Sequence, residues 1–149
     1  MAVEGTPEEV FRTAEAAYRQ GDRERAAALC TDILAASPDF AGASHLLGVL
    51  ALKSGDTKAA IGHLSLAVRN SPQSVNYYQA LAVACYQAGD LQQAERNLRC
   101  VIGLAPDQVE ARLKLAVLLR GPLYLPVTDF SESIISSRGP LNTAFISMI

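Results

Sequence analysis

A Gly-Asp pair recurs at a constant interval of 34 residues, and no other feature of the sequence restricts the fold as strongly. The three pairs are Gly21-Asp22, Gly55-Asp56 and Gly89-Asp90. The same interval separates three prolines and three alanines: Pro38, Pro72 and Pro106, and Ala26, Ala60 and Ala94. Self-similarity at a fixed period of this length is typical of repeat proteins, in which each unit is one supersecondary element stacked on the next.

Each unit is predicted to contain two helices. Its glycine can adopt the positive φ that ends one helix, and the aspartate that follows can cap the start of the next. Residues 90–93 match a capping box. The proline of each unit comes after the second helix, because proline lacks the N–H that a helix interior needs. Near the start of the chain, Thr6, Pro7 and Glu9 supply a cap, a first helical residue and a glutamate that reaches back, so a helix is expected from Pro7.

Small residues are expected where the two helices of a unit approach closely. They are Ala14, Gly48, Ala82 and Ala116 in the first helices, and Ala26, Ala60 and Ala94 in the second helices. This pattern resembles the tetratricopeptide repeat family, which implies an all-α solenoid of helical hairpins with three repeats, one extra helix and an irregular C-terminal tail. The implied units are 7–40, 41–74, 75–108 and the half unit 109–120. The solenoid would cover residues 1–120, and an apolar tail residues 121–149.

The composition is that of an ordinary globular protein of one domain. The 149 residues carry a net charge of -2, so no basic excess favours binding to nucleic acid or to an anionic membrane. No run of about 18 uncharged apolar residues predicts a membrane helix. The first ten residues lack the basic and apolar regions of a signal peptide, which predicts a cytoplasmic location. Cys30, Cys85 and Cys100 are an odd number at wide spacings and are expected to be reduced and buried.

Candidate catalytic residues are few. The sequence has two histidines, no glycine-rich phosphate loop and no Gly-x-Ser-x-Gly motif. The aspartates of the Gly-Asp pairs are assigned as helix caps, and His63 falls on a second helix, away from the expected groove. No Cys or His pair has the spacing of a zinc site. We therefore predict no enzymatic activity, no metal site and no cofactor.

A ligand is expected in a groove lined by the first helices, because stacked hairpins curve and leave these helices on the concave side. The predicted lining is Phe11, Glu15, Tyr18 and Arg19 in the first unit, His45, Val49, Leu52 and Lys53 in the second, Asn76, Gln79, Val83, Tyr86 and Gln87 in the third, and Leu113 and Val117 in the half unit. Apolar patches with few charges suit an apolar peptide or helix. Tyr18 and Tyr86 are the preferred anchors. Packing on neighbouring helices is the alternative for four of these residues: Val49, Leu52, Val83 and Val117.

Two ligand-binding patterns known in the family are not matched. Chaperone-binding co-chaperones hold terminal carboxylates with Lys and Asn, but the corresponding positions here read Glu8, Arg12, Leu46, Asn76 and Ala80. The asparagine ladder of the nucleocytoplasmic glycosyltransferase superhelix is replaced by Arg12, Leu46, Ala80 and Lys114. The resemblance therefore implies a protein or peptide partner without identifying it.

The repeat register ends at Gly121, and the tail that follows is apolar. Its few charges are untypical of a solvated linker, so it could cover the flank of the last helix or mark where another domain began. The segment 44–51, with Gly55 and Ala60-Ile61, is similar to repeats fused ahead of transferase domains in bacterial glycosyltransferases and sulfotransferases. The main hypothesis is thus an adaptor that binds a peptide or protein segment in its groove. The alternatives are the non-catalytic, substrate-recognition region of such a transferase, and a module that forms homo-oligomers through its apolar end.

Overall fold

The structure, a computed structural model, describes residues 4–120. Within them it contains seven α-helices and no strand, which confirms the all-α class for this part of the chain. The helices are α1 (Pro7–Arg19), α2 (Arg23–Ala36), α3 (Ala41–Ser54), α4 (Thr57–Asn70), α5 (Val75–Ala88), α6 (Leu91–Leu104) and α7 (Val109–Arg120). The tail expected over residues 121–149, and both interpretations of it, lie outside the described residues.

The Gly-Asp pairs end one helix and start the next, as predicted. Each glycine has a positive φ, between +83° and +86°. Each aspartate carboxylate accepts a hydrogen bond from the backbone N–H three residues on, at 3.0 to 3.1 Å. At the start of α1, Thr6 and Glu9 form the expected capping box. The helices α2, α4 and α6 end two residues before Pro38, Pro72 and Pro106.

Consecutive helices pack against each other, most extensively within the pairs α1 and α2, α3 and α4, and α5 and α6. In addition, α3 contacts both α1 and α5. The first helices of the three pairs therefore form a row along one face of the molecule. We call this face the first-helix face.

Small residues lie where the paired helices touch. Ala14 and Ala82 of the first helices are fully buried, as are the alanines at 26, 60 and 94 of the second helices. Gly48 marks a close approach of α3 to α4, because a Cβ on it would overlap the Leu64 side chain. Ala116, expected to be enclosed in the same way, is exposed. The reason is that α7 has no following helix within residues 4–120.

The cysteines divide into two buried residues and one exposed residue. Cys30 and Cys85 are buried, and burial raises the pKa of each thiol to about 11. Both therefore stay protonated near neutral pH and behave as small apolar side chains. The prediction that all three are buried is wrong for Cys100, which is exposed. Cys100 lies on a different side of α6 from the buried residues Ala94 and Val101.

Candidate functional site

The first-helix face carries a cleft of about 240 Å³ between α1 and α3. Its lining is Phe11, Glu15, Tyr18, Arg19, His45, Leu46 and Val49. Repeat spacing alone singled out all of these except Leu46 as groove residues. The structure thus brings six of the eight predicted residues of the first two units together around one depression, and Leu52 and Lys53 are not in its lining. We call it the α1/α3 cleft.

Aromatic side chains form one end of the α1/α3 cleft. The rings of Phe11 and Phe40 are tilted at 59° with their centroids 5.3 Å apart, an edge-to-face type of contact. Gly42 makes room for them, since a Cβ there would lie 3.0 Å from Cζ of Phe11 and 3.1 Å from Cε1 of Phe40. A glycine in the first turn of α3 therefore lets the Phe11 ring reach the cleft.

Tyr18 of α1 contacts Lys53 of α3 through a cation–π interaction. The Nζ of Lys53 lies 4.8 Å from the centroid of the Tyr18 ring, within the range of a cation–π contact. Tyr18 is half-buried, whereas Lys53 and the neighbouring Arg19 are exposed. Tyr18, which the sequence predicts as an anchor for a ligand, thus lies in the cleft wall with the Lys53 ammonium over one face of its ring.

His45 is stacked on Tyr77 of α5, with ring centroids 4.7 Å apart and an interplanar angle of 30°. Burial lowers the pKa of His45, so the imidazole is neutral at neutral pH. Burial, and then the negative charge of Glu15, raises the pKa of the Tyr77 phenol. Tyr77 was not among the groove residues expected from the sequence. It extends the aromatic lining from α3 to α5.

The lowered pKa of His45 makes stability depend on pH. The unfolded chain titrates near 6.5 and binds the proton before the folded chain does. This contribution to stability is therefore fully present above pH 6.5 and is lost as pH falls through that value toward the folded pKa. From about pH 8 to about pH 5, the free energy of unfolding should fall further for the wild-type protein than for His45→Gln. Urea denaturation measures it, with His63→Gln as the control that keeps the wild-type loss. Equal losses in the wild-type protein and His45→Gln would contradict this assignment.

The predicted groove residues of the third unit and the half unit differ in their exposure to solvent. Val83 is only 5% exposed and so adopts the packing alternative, while Tyr86 is half-buried against two apolar clusters of the interior. Leu113 and Val117 are 52% and 39% exposed. The Gln79 amide donates to the Gln108 side chain at 2.7 Å. Asn76 is exposed and Gln87 is half-buried, as is Leu52 of the second unit.

A second depression, of about 340 Å³, lies among α2, α3 and α4. Its lining is Arg23, Glu24, Ala27, Leu47, Leu50, Ala51, Ser54 and His63. Seven of these residues belong to α2 and α3, and His63 comes from α4. His63 thus lies away from the α1/α3 cleft, as expected. We call this depression the α2/α4 cleft.

Comparison with known proteins places the chain in a family. Residues 11–75 match the family model described as tetratricopeptide repeat. Solved tetratricopeptide repeat domains share its fold. The chain contains tetratricopeptide repeats. No curated protein sequence matches this repeat protein.

Three solved structures show what the repeat protein is similar to. A mutant O-GlcNAc transferase from Thermobaculum terrenum is 28% identical with a TM-score of 0.70, and the match covers 80% of the repeat protein but 23% of the transferase. The first repeat domain of Spaghetti (RPAP3), bound to an HSP90 peptide, is 17% identical with a TM-score of 0.71, and 77% and 94% of the two chains are covered. MamA from Desulfovibrio magneticus RS-1 is 23% identical with a TM-score of 0.68, and 76% and 65% are covered. The repeat protein spans about a quarter of the transferase, and the other two similarities show the fold alone.

Both clefts are lined by apolar and charged side chains. The α1/α3 cleft of the repeat protein presents aromatic faces, one carboxylate and one guanidinium. Among residues 4–120, no three His, Cys, Asp or Glu side chains come together as metal ligands. In the same range, no helix is both long and apolar enough to cross a membrane.

Proposed function

We propose that this tetratricopeptide repeat protein is a non-enzymatic adaptor that binds a peptide or protein segment on its first-helix face. The observation that carries the proposal is the α1/α3 cleft, where six predicted groove residues line one depression. The repeat units behind it are proposed as 7–40, 41–74 and 75–108, with 109–120 as a half unit. Helices α1, α3 and α5 are the first helices of these units.

The size of the α1/α3 cleft favours part of a polypeptide over a complete small ligand. Its volume of about 240 Å³ lies below the roughly 300–1,000 Å³ of pockets that enclose small molecules and cofactors. A cleft of this size accommodates one or two side chains of a longer segment. The rest of the segment would lie along the row formed by α1, α3 and α5.

The lining of the cleft favours an apolar anchor side chain. Half-buried Phe11, Tyr18 and Val49 offer apolar surface that is already partly desolvated. Tyrosine and other aromatic residues at such positions often contribute most of the binding free energy of an interface. A similar fold in the Spaghetti (RPAP3) structure holds an HSP90 peptide, which supports a peptide as the class of ligand.

The proposal is tested by replacing Tyr18 with alanine. A 12-residue peptide selected on the wild-type protein from a random display library should bind Tyr18→Ala at least about tenfold more weakly. The reason is that the substitution removes one wall of the α1/α3 cleft and the ring beneath Lys53. Fluorescence anisotropy with the labelled peptide measures the dissociation constant.

Tyr78→Ala is the matched control. Tyr78 is half-buried like Tyr18 but does not line the α1/α3 cleft, so this variant should bind the peptide within about twofold of the wild-type protein. Circular dichroism confirms that each variant is folded. Equal affinity for the wild-type protein and Tyr18→Ala would overturn the assignment of the site.

We infer a second candidate function from the similarity to the O-GlcNAc transferase. This structure is 28% identical over 80% of the repeat protein, and the segment 44–51 resembles repeats that precede transferase domains. In this second function, the first-helix face recognises the polypeptide substrates of a transferase whose catalytic domain is separate. Both functions require the same cleft, so the Tyr18→Ala test applies to both.

A further inference from the structure

Two cations lie at the C-terminal ends of α1 and α3, the helices that form the α1/α3 cleft. Arg19 is the last residue of α1 and lines the cleft, and Lys53 is the next-to-last residue of α3. They occupy equivalent positions, 34 residues apart, in two helices that contact each other. Both are exposed, and the ion pairs formed within residues 4–120 involve neither of them. The two helix ends therefore carry two positive charges without a carboxylate bound to them.

A favourable interaction with the helix dipole accounts for cations in the last turn of a helix. This interaction does not explain why the Lys53 side chain extends toward α1. The Lys53 ammonium lies over the ring of Tyr18, a residue of the other helix. Its charge is thus held against Tyr18, a residue of the cleft wall that precedes Arg19 in the sequence.

Glu15 gives the cleft its opposite charge, one helical turn before Arg19. It is the acidic side chain in the cleft lining, and after burial its charge is the second cause that raises the pKa values of Tyr77 and Cys30. Glu15 and Arg19 have the i, i+4 spacing of a helix ion pair but are not among the ion pairs of the described residues. The cleft is therefore polarised, with a carboxylate facing the His45 and Tyr77 side and two cations at the C-terminal ends of its helices.

We propose that the ligand carries an acidic group next to its apolar anchor, and that Arg19 and Lys53 bind this carboxylate. The inference rests on the proposed function and specifies the ligand class of the same site. The bulky apolar side chain enters between Phe11, Tyr18 and Val49. The carboxylate then lies toward Arg19 and Lys53, because Glu15 repels it from the other end. A side chain of Asp or Glu and a free chain terminus are both sources of this carboxylate.

The test begins with a selection of random 12-residue peptides on the wild-type protein. Most enriched sequences should have Asp or Glu within about three residues of a bulky apolar residue, the reach of neighbouring side chains along an extended segment. An enriched peptide is then synthesised with a free and with an amidated C-terminus. If the amidated form binds equally, a side chain supplies the carboxylate, and if it binds at least about tenfold more weakly, the terminus does. Both results support a bound carboxylate when affinity also falls with added salt.

Charge reversal tests the two cations directly. The double variant Arg19→Glu/Lys53→Glu should bind the enriched peptide at least about tenfold more weakly. The milder variant Arg19→Gln/Lys53→Gln removes both positive charges without adding negative ones, and it should bind the peptide with intermediate affinity. This variant keeps the test valid if charge reversal impairs folding. The matched control is Lys58→Glu/Arg69→Glu on the exposed surface of α4, which has the same change in net charge and should bind within about twofold.

The possible failures are distinguishable. Enriched peptides without acidic residues, or equal affinity for the wild-type protein and the Arg19 and Lys53 variants, would overturn the inference and leave the adaptor function in place. No enrichment of any peptide on the folded wild-type protein would count against the adaptor function itself.

Discussion

Leu64→Ala is expected to unfold with a free energy about 2–5 kcal/mol lower than the wild-type protein. The Leu64 side chain is 0% exposed and lies in α4 directly against Gly48 of α3. Because Gly48 has no side chain that could move into the vacated space, the cavity can close only by a shift of the helices. Urea denaturation followed by circular dichroism measures the loss.

Leu91→Ala is the matched control for this substitution. Leu91 begins α6 and is 49% exposed, so the same truncation there should change the free energy of unfolding by less than about 1 kcal/mol. A loss at Leu64 no larger than the loss at Leu91 would contradict the close packing of α3 against α4.

Gly48→Leu and Gly62→Leu are expected to change stability in opposite directions. At Gly48 even a Cβ would lie 2.4 Å from Cγ and 2.7 Å from Cδ2 of Leu64, so leucine should cost about 1–3 kcal/mol or more through overpacking. At Gly62 a Cβ would meet nothing within 4 Å. Leucine should therefore add up to about 1 kcal/mol there, because it is a better helix former than glycine.

Thermal unfolding of the two variants measures this difference in sign. Combining Gly48→Leu with Leu64→Ala should destabilise the protein less than the sum of the two single effects, because the new side chain occupies space that the alanine leaves. Two variants with equal melting temperatures would show that α3 and α4 do not approach closely at Gly48.

Local sequence chemistry was sufficient to predict where the helices begin and end. A glycine with positive φ and an aspartate that caps the next helix act over four or five residues, so their effect can be read directly from the chain. Gly55 and Asp56 show both effects, with a φ of +86° and a carboxylate that accepts from the Ala59 N–H. The 34-residue period then places these turns in register.

The residues of the α1/α3 cleft could be predicted because the period relates α1 to α3. Phe11 and His45 are equivalent by 34 residues, as are Glu15 and Val49, and members of both pairs line the cleft. Helical spacing therefore identified which side of each first helix faces outward. It did not indicate that Lys53 would lie over the Tyr18 ring, because that contact depends on side-chain conformations.

Tyr77 was missed because the repeat equates it with an interior position. Its equivalent in the previous unit is Ala43, which is fully buried. A tyrosine is too large to be enclosed as an alanine is, and Tyr77 is half-buried and stacked on His45. The change from a small to a large residue at one repeat position was the available signal. Similarly, the exposure of Cys100 and Ala116 depends on which helices pack next to α6 and α7, and not on local sequence.

The measurement that tests the central claim most directly compares the two clefts with one peptide. A peptide selected on the wild-type protein is titrated against Tyr18→Ala in the α1/α3 cleft and against Arg23→Ala in the α2/α4 cleft. We predict at least about tenfold weaker binding by Tyr18→Ala and a change of less than about twofold for Arg23→Ala. The reverse result would contradict the assignment of ligand binding to the first-helix face.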